Sequence, residues 1–329
     1  MSPTNRHTDF FSRVQSLTEA YLTRRNRIRR IKKEKQQNKH PVLDWIDAFL
    51  WAAGMVLLIN QYLFQAYQIP SGSMISTLLI GDHVFVNKLV YGPEVLPGVG
   101  KLPSPIKPKR NDIIIFENPT YISRGPVFDT AQRIIYMLTL TLLDIDRDES
   151  GSPRAHFLIK RAVGMGGDRI IVEDGEVMIR FRGDERWTPE REYAAERNWN
   201  HSISRLMNTS QYPALRALGK EAAWNDLRIP APQRLAGNTA NMNYPDFGAF
   251  EKARLEVLRG AMPHDSRYRM LLARNYNLGR FIPEGRVLPL GDNRDNSRDG
   301  REFGPVKVSK ILGKGAMIYW PLRRLGPIR

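Results

Sequence analysis

The sequence predicts a mainly β protein in which a single N-terminal transmembrane helix precedes an antiparallel β domain with two insertions. Three observations lead to this prediction: a long apolar run before residue 70, a series of short segments rich in β-branched residues after it, and two stretches without the strand pattern. The predicted organisation is a basic segment at residues 1–41, a transmembrane anchor at 42–67 and a β domain at 68–329. The insertions occupy about residues 117–156 and 182–282.

The anchor is predicted from residues 48–59, AFLWAAGMVLLI, which contain no strongly polar side chain. This run alone is too short to cross a bilayer, which takes about 20 residues. Extension through Trp45 on one side and to Tyr67 on the other gives the required length and places aromatic rings at both interfaces. A buried core helix and a cleaved signal peptide are the alternatives. The long basic region before the run, and the absence of a small-x-small site after it, argue against a cleaved peptide.

The charge is concentrated at the N-terminus. The chain carries a net charge of +16, and residues 1–40 hold eleven Lys/Arg against three acidic residues, which is half of that total. Because cationic flanks stay in the cytoplasm, we expect a single-pass protein of the inner (cytoplasmic) membrane with a cytoplasmic N-terminus and the β domain on the outer face. Nucleic acid is a second explanation of the basic stretch, but the flank of an anchor explains it more simply, so we expect no nucleic-acid partner.

Cysteine is absent from the sequence. A disulfide framework, a thiolate nucleophile and a zinc site with cysteine ligands are therefore excluded.

Short strands are predicted throughout the β domain. β-branched and aromatic residues are frequent at residues 83–91, 112–116, 157–163, 169–180 and 311–320. Within residues 169–180, Glu173-Asp174-Gly175 separates two apolar runs and indicates a hairpin turn. The Pro-rich residues 96–109 are predicted to form a loop.

The two insertions have different compositions. Residues 182–282 are polar and show helical rather than alternating patterns, and their role does not follow from the sequence. Residues 117–156 contain a second apolar run at 134–143, IIYMLTLTLL, which is too short to cross a bilayer as a helix. We expect this run either to pack on the β core or to dip into the outer face of the membrane.

Three clusters of residues have the composition of a catalytic site. The first is residues 69–74, IPSGSM, directly after the anchor; the second is residues 157–164, FLIKRAVG; the third is residues 291–301, GDNRDNSRDGR. Taken alone, the first is typical of a turn and the second of a strand with a solvated lysine. In the second cluster, strand alternation implies that either Lys160 or Arg161 faces inward.

Together and in this order, the three clusters resemble the sequence boxes of type I signal peptidases, the bacterial leader peptidases. The resemblance covers the anchor and residues 68–90, 110–116, 157–171 and 288–320. It implies a membrane-bound serine endopeptidase that removes signal peptides from exported preproteins after small-x-small sites. It further implies that the partners are preproteins and the lipid bilayer, that no cofactor or metal is needed, and that the protein functions as a monomer.

The resemblance also implies a role for each matching residue. Ser73 is the nucleophile and Lys160 its general base, while Ser71 and the Ser73 backbone N–H stabilise the oxyanion. Ser297 orients the Lys160 amine, and Asp299 and Arg301 form a supporting ion pair. The residues that match the lining of the shallow substrate pockets are Ile69, Met74, Leu78 and Ile159.

The chemistry of a Ser-Lys pair is consistent with these residues. A serine hydroxyl is a poor nucleophile until a neighbouring base takes its proton. A lysine of ordinary pKa, near 10.4, is charged at neutral pH and cannot act as a base. Burial among apolar groups, such as those around Lys160, lowers that pKa by disfavouring the ammonium.

The chain departs from the family pattern at two turns. The family commonly has proline where this chain has Ser76, three residues after the nucleophile, and where it has Gly166, after the lysine strand. Both differences are expected to loosen the turns without changing the chemistry.

Three other functions fit parts of the sequence, but each fits less well than a membrane-anchored Ser-Lys peptidase. Residues 104–107, SPIK, fit the S-x-x-K motif of penicillin-binding enzymes, but that motif requires a helix and these residues lie in a Pro-rich segment. Residues from Asp295 onwards begin like a calcium loop, but its twelfth position is Val306 where a glutamate is required. Autoproteolytic repressors also use a Ser-Lys pair, and the predicted anchor distinguishes this chain from them.

Overall fold

The computed structural model describes residues 5–37, 40–96, 99–139, 141–149, 151, 154–199, 203–205, 207–230 and 246–328. It comprises two compact units, Met1–Val56 and Leu57–Arg329. The helices are α1 Asn5–Gln37, α2 Pro41–Tyr62, α3 Pro126–Leu138, α4 Glu190–Glu196, α5 Tyr212–Asp226, α6 Phe247–Ala261, α7 Ser266–Leu272 and α8 Gly300–Phe303. Four predicted features lie partly outside the described residues: the basic N-terminal segment (1–4 and 38–39), the Pro-rich segment (97–98), the first predicted insertion with its apolar run (140, 150 and 152–153) and the second predicted insertion (200–202, 206 and 231–245).

Fourteen strands occur in the described residues. They are β1 Phe64–Gln68, β2 His83–Asn87, β3 Glu94–Leu96, β4 Val99–Lys101, β5 Ile113–Glu117, β6 Phe157–Met165, β7 Arg169–Glu173, β8 Glu176–Arg180, β9 Thr188–Pro189, β10 Arg280–Phe281, β11 Arg286–Leu290, β12 Val306–Lys307, β13 Ile311–Trp320 and β14 Gly326–Pro327.

Helix α2 is the one described helix that is long and apolar enough to cross a membrane. It begins at Pro41, one residue before the predicted start, and ends at Tyr62, five residues before the predicted end. The difference arises because Phe64–Gln68 pairs with β2 instead of continuing the helix. Lys88 caps the C-terminal end of α2: its Nζ donates to the carbonyl oxygens of Asn60 and Gln61 at 3.3 Å each. A cation at the C-terminal end of a helix satisfies carbonyls that have no partner within the helix.

The main sheet confirms the prediction of a mainly antiparallel β domain. Its strands follow the order β1-β2-β13-β5-β6-β11-β12, with β14 added on β13. Every pair is antiparallel. Strand β13 covers the predicted residues 311–320 and joins the N-terminal strands to the strand that carries Lys160. Apolar residues on both faces of β5 are buried, and this places the central strands inside the core.

A second, four-stranded sheet has the order β10-β7-β8-β9. The predicted hairpin is its centre, with Asp174 at φ 46° and Gly175 at φ 76°, the positive values that a tight two-residue turn requires. Strands β9 and β10 come from the two ends of residues 182–282, which the sequence had placed outside the sheets. Between these ends the described residues are mainly helical, and α5 packs against α6 around the cluster of Tyr212, Leu215 and Ala249.

The Pro-rich segment at residues 96–109 is partly strand. Strand β4 pairs with β3 in a short hairpin, and residues 102–109 contain neither helix nor strand. The S-x-x-K match at residues 104–107 therefore lacks the helix that a penicillin-binding site needs.

The apolar run at residues 134–143 is divided between core and surface. Its first half is the end of α3, where Tyr136 packs against the core cluster that contains Tyr67, and Met137 is buried. Leu138 is 39% exposed and Leu142 is 78% exposed. One side of the run therefore packs on the β core, and the large apolar side chains on its other side are exposed to solvent.

Candidate active site

Ser73 lies in a tight turn that follows the first strand. Residues Gly72–Met74 form a single 3₁₀ turn, and Ser73 is 8% exposed. On the N-terminal side, Ser71 is in extended conformation with an exposed side chain. Its Oγ lies 3.5 Å from the Ser73 Oγ, which is the outer limit of a hydrogen bond. The turn thus presents two hydroxyl groups two residues apart.

Lys160 reaches this turn from the middle of β6. Its backbone pairs with Ile114 on β5, and its side chain is 3% exposed. The Nζ donates to the Ser73 Oγ at 2.6 Å and to the carbonyl oxygen of Ile159 at 3.1 Å. The nucleophile and base proposed from the sequence, 87 residues apart, are therefore in direct hydrogen-bond contact.

The neighbouring residue, Arg161, is buried too. Alternation along the strand implies that either Lys160 or Arg161 faces inward, and the structure buries both because both faces of β6 are covered. On the opposite face from Lys160, the Arg161 guanidinium bonds Asp292 through Nε at 2.8 Å and Nη2 at 2.6 Å. Such a bidentate pair satisfies both charges in the interior.

The pKa of Lys160 is lowered from its ordinary value of 10.5 to about 8. Burial is the main cause, since it penalises the charged ammonium; the carboxylates of Asp299 and Asp292 oppose it by attracting the positive charge. A substantial fraction of Lys160 is therefore neutral at mildly alkaline pH and able to accept a proton.

Residues 291–301, here called the support loop, pack directly against Gly72–Met74, the turn of the proposed nucleophile, here called the nucleophile turn. The Asn293 backbone N–H donates to the Ser73 carbonyl oxygen at 3.1 Å, and its side-chain Nδ2 donates to the Gly72 carbonyl oxygen at 3.0 Å. Gly291 lies so close that an added Cβ would stand 2.6 Å from the Ser73 carbonyl oxygen and 2.1 Å from the Ser297 Oγ. A side chain at position 291 is thus incompatible with this packing.

Asp299 and Arg301 form the ion pair predicted from the sequence. Arg301 Nε and Nη2 lie 2.9 Å and 3.0 Å from the two carboxylate oxygens of Asp299, which also accepts from the Gly291 N–H at 3.0 Å. Burial by itself raises the pKa of the Asp299 carboxyl, but the Arg301 charge and these hydrogen bonds outweigh it and hold the pKa below its ordinary value. Asp299 is therefore ionised at neutral pH.

The predicted hydrogen bond between Ser297 and Lys160 is not formed in this structure. The Ser297 Oγ is buried and has no hydrogen-bond partner within the part of the chain that the structure describes. It nevertheless lies in the support loop beside Gly291, which in turn contacts the Ser73 carbonyl. Its role as an orienting group for Lys160 stays a prediction.

The four residues matched to substrate pockets lie in one cluster. Ile69, Met74 and Leu78 are buried in the core cluster that also contains Tyr67, and Ile159 is partly buried against it. These side chains lie beside the nucleophile turn and the Lys160 strand. Of the four, Ile159 is the one with appreciable exposure, so the structure places the pocket residues together but tightly packed.

Several contacts in the site were missed by sequence reasoning. Thr77 donates to Asp292 at 2.5 Å and so joins the Arg161 pair. The signal was available, since Arg161 and Asp292 belong to the motifs already identified and an arginine in an apolar strand needs a buried acid. Glu190 and Arg205, which contact the support loop from residues 182–282, carried no motif. Among the described residues, no group of three or more His, Asp or Glu side chains is arranged to hold a metal ion.

Comparison with known proteins gives a consistent result. The profile of the family described as "Signal peptidase, peptidase S26" matches residues 42–320. A signal peptidase I of Haemophilus influenzae is 27% identical over 283 residues, which cover 85% of this chain and 70% of that protein. One from Aquifex aeolicus is 27% identical over 275 residues, 80% and 79% of the two chains. One from Pseudomonas aeruginosa is 27% identical over 298 residues, 86% and 75% of the two chains.

Proposed function

The chain belongs to the signal peptidase family, peptidase S26, and is therefore a serine peptidase; from this premise we propose that it removes signal peptides from exported preproteins by Ser-Lys catalysis. The observation that carries the catalytic part of the proposal is the 2.6 Å hydrogen bond from the Lys160 Nζ to the Ser73 Oγ. Nucleophile and base must stand within hydrogen-bond reach, and this pair does so inside the core.

The first step is acylation of Ser73. Neutral Lys160 takes the hydroxyl proton as the Ser73 Oγ forms a bond to the scissile carbonyl carbon. The resulting ammonium then gives its proton to the leaving amine as the peptide C–N bond breaks. With a pKa of about 8, roughly one Lys160 in ten is neutral at pH 7 and about half at pH 8. In the second step neutral Lys160 takes a proton from a water molecule as the water oxygen forms a bond to the acyl carbon. The ester bond to the Ser73 Oγ then breaks, and Lys160 gives the proton to that oxygen, which releases the carboxylic acid product.

The oxyanion is stabilised, in this proposal, by the Ser73 backbone N–H and the Ser71 hydroxyl. The exposed Ser71 side chain, 3.5 Å from the Ser73 Oγ, supports its availability to a bound carbonyl. A single donor of this kind accounts for about 2.7–4 kcal/mol of transition-state stabilisation in serine proteases. Ser297 and the Asp299–Arg301 pair act from the support loop, by orienting the amine and by holding the loop in place.

We propose that the specificity is for small residues at P1 and P3. The cluster of Ile69, Met74, Leu78 and Ile159 supports this, because these apolar side chains pack together beside the Ser73 turn and the Lys160 strand. The expected cleavage site is therefore of the small-x-small type.

The location proposed for the protein is the inner membrane, crossed once by α2. The basic N-terminal segment supports a cytoplasmic N-terminus, and the active site would then act on the outer face. Preproteins and the lipid bilayer are the proposed partners. We propose a monomer that uses no metal or cofactor and binds no nucleic acid, with residues 117–156 and 182–282 as insertions into the catalytic domain.

The proposal is tested with the purified full-length chain in detergent and a preprotein that carries an Ala-x-Ala site. Mass spectrometry of the products should show one cut directly after that site. Ser73→Ala should cut at least 1,000-fold more slowly with unchanged circular dichroism, since the loss of a nucleophile removes most of the rate. Cleavage by Ser73→Ala above about 1% of the wild-type rate would remove Ser73 as nucleophile.

A further inference from the structure

We propose that Glu190 and Arg205 are positioning residues for the peptidase reaction: they hold the support loop against the nucleophile turn and so set the geometry of Ser73 and Lys160. Both residues lie in residues 182–282, outside the sequence motifs that carry the resemblance and without a motif of their own. The inference rests on the proposed roles of Ser73 and Lys160.

Glu190, the first residue of α4, holds the loop through Arg294. The Arg294 Nη2 lies 2.7 Å and 2.6 Å from the two carboxylate oxygens of Glu190, and the two side chains are 0% and 5% exposed. The same guanidinium donates through Nη1 to the Gly291 carbonyl oxygen. The Glu190 carboxylate thus holds Arg294, and Arg294 in turn holds Gly291, which packs against Ser73 and Ser297.

Arg205 holds the next residue of the loop. Its Nη2 lies 2.8 Å from Asp295 Oδ1 and its Nε donates to Oδ2 at 3.1 Å. The same guanidinium donates to the hydroxyl of Tyr212, the first residue of α5. It also passes against Gly175 in the β7–β8 turn, where an added Cβ would overlap it at 1.7 Å. The position of the helices is thereby coupled to the position of Asp295.

The backbone between these two residues completes the connection. The Ser204 N–H donates to the Asp292 carbonyl oxygen at 2.9 Å, and the Arg294 N–H donates to the Ser204 carbonyl oxygen at 3.1 Å. Asn293, between them, is the residue whose N–H and side chain bond the carbonyl oxygens of Ser73 and Gly72. Ser204 and Ser73 therefore bind opposite sides of the same short stretch of loop.

This arrangement has a consequence for Lys160. The groups that set its pKa are its own burial and the carboxylates of Asp299 and Asp292, both in the support loop. A loosened loop admits water to the buried ammonium, which returns the pKa toward 10.5. A positioning role therefore changes the pH profile, whereas a role in stability alone does not.

The test uses the full-length chain with Glu190→Gln and, separately, Arg205→Met. Both should lower kcat by about 10- to 100-fold with KM changed by less than about threefold, because small displacements of reacting groups cost rate more than affinity. The pH at which activity reaches half its maximum should rise by about half a unit or more. The matched control is Arg254→Met, which removes ion pairs to Asp226 and Glu251 within α5 and α6 and touches no loop residue that carries the inference.

Amide hydrogen exchange of the same proteins tests, independently of catalysis, whether Glu190 and Arg205 hold the support loop in place. In both variants, but not in the control, amides of residues 69–78 and 290–298 should exchange at least about tenfold faster than in wild type. Should Glu190→Gln fail to fold, the comparison is made on Arg205→Met, whose guanidinium lies nearer the surface.

Three results would overturn the inference: unchanged kcat and pH profile, equal losses in Arg254→Met, or unchanged exchange at residues 69–78. If the wild-type chain itself does not cut preproteins, the proposed function fails. In that case faster exchange in the two variants still supports the coupling between the helical residues and the Ser73 turn.

Discussion

Replacing Lys160 by Met should stabilise the protein at neutral pH, although it removes the proposed catalytic base. Lys160 is 3% exposed, and its pKa is lowered from 10.5 to about 8 because burial penalises the charge. Below pH 8 the lysine is protonated in both the folded and the unfolded state, so the penalty on the folded state is fully present. Methionine has a similar volume and no charge to bury.

The size of the effect follows from the shift. The burial that lowers the pKa of Lys160 from 10.5 to about 8 costs the folded protein about 3 kcal/mol at neutral pH, and the loss of the hydrogen bond to Ser73 returns about 1 kcal/mol. We therefore expect Lys160→Met to be about 2 kcal/mol more stable at pH 7, which in a domain of this size raises Tm by roughly 4–8 °C.

The stability difference between Lys160→Met and wild type should depend on pH. Between pH 8 and 10.5 the unfolded wild type binds more protons at Lys160 than the folded protein, so wild-type stability rises with pH in that window. The methionine variant has no such group. Its advantage should therefore shrink from pH 8 upward and be lost by about pH 10.5.

The assay is thermal unfolding of the full-length chain, followed by circular dichroism in one detergent at pH 6, 7, 8, 9 and 10. Lys310→Met is the matched control, because Lys310 is an exposed lysine whose Nζ pairs with Glu117 at the surface. A lower Tm for Lys160→Met at pH 7, or a difference from wild type that stays constant across this pH range, would refute the view that Lys160 is destabilised by burial. Wild-type activity should rise tenfold per pH unit below pH 8 for the same reason.

Three further predictions concern the turn and the exposed apolar run. Ser71→Ala should lower kcat roughly a hundredfold with little change in KM, as expected for one oxyanion donor; a variant with wild-type kinetics would leave the backbone N–H of Ser73 as the sole donor. Ser76, at φ 82°, should tolerate glycine with equal or higher Tm but not proline, whose φ is fixed near −65°; an active, stable Ser76→Pro protein would show that this turn adopts another conformation. Leu138→Glu combined with Leu142→Glu should change Tm by less than about 3 °C, since both side chains are partly or fully exposed, and should weaken binding of the chain from residue 68 onward to lipid vesicles; a large fall in Tm would instead assign them to the core.

The sequence was sufficient to single out Ser73 and Lys160 as the candidate catalytic pair because three motifs occur together in a fixed order. Ser73 and Lys160 come together as expected, and β13 and the turn at Asp174-Gly175 have the predicted bounds. Local composition was not sufficient where it fits two structures equally well. The residues from Phe64 to Tyr67 are apolar or aromatic except for Gln65, which suits the end of a membrane helix and an edge strand alike, and pairing with β2 decides between them.

The contacts made by Glu190 and Arg205 could not be predicted from the sequence. Glu190 meets Arg294 across 104 residues of sequence, and Arg205 meets Asp295 across 90. An acidic residue at the start of a short helix is ordinary, as is an arginine in an irregular segment. No periodicity or turn chemistry relates them to the support loop, so only the folded structure brings them to it. The same holds for Ser76, because its φ of 82°, which proline cannot adopt, does not follow from the sequence around it.

The ion pairs of Asp292 and Asp299 with arginines explain how Lys160 can lose its proton although two carboxylates favour its charged form. Asp292 and Asp299 both favour the charged ammonium, and an unpaired carboxylate in the interior would hold Lys160 protonated. Each is instead bound by an arginine of its own: Asp292 by Arg161 at 2.6 Å and Asp299 by Arg301 at 2.9 Å. Their attraction for Lys160 is thereby reduced to less than the cost of burial, and the pKa falls. Arg161 and Arg301 therefore allow the two acids to build the support loop beside Lys160 without removing its ability to act as a base.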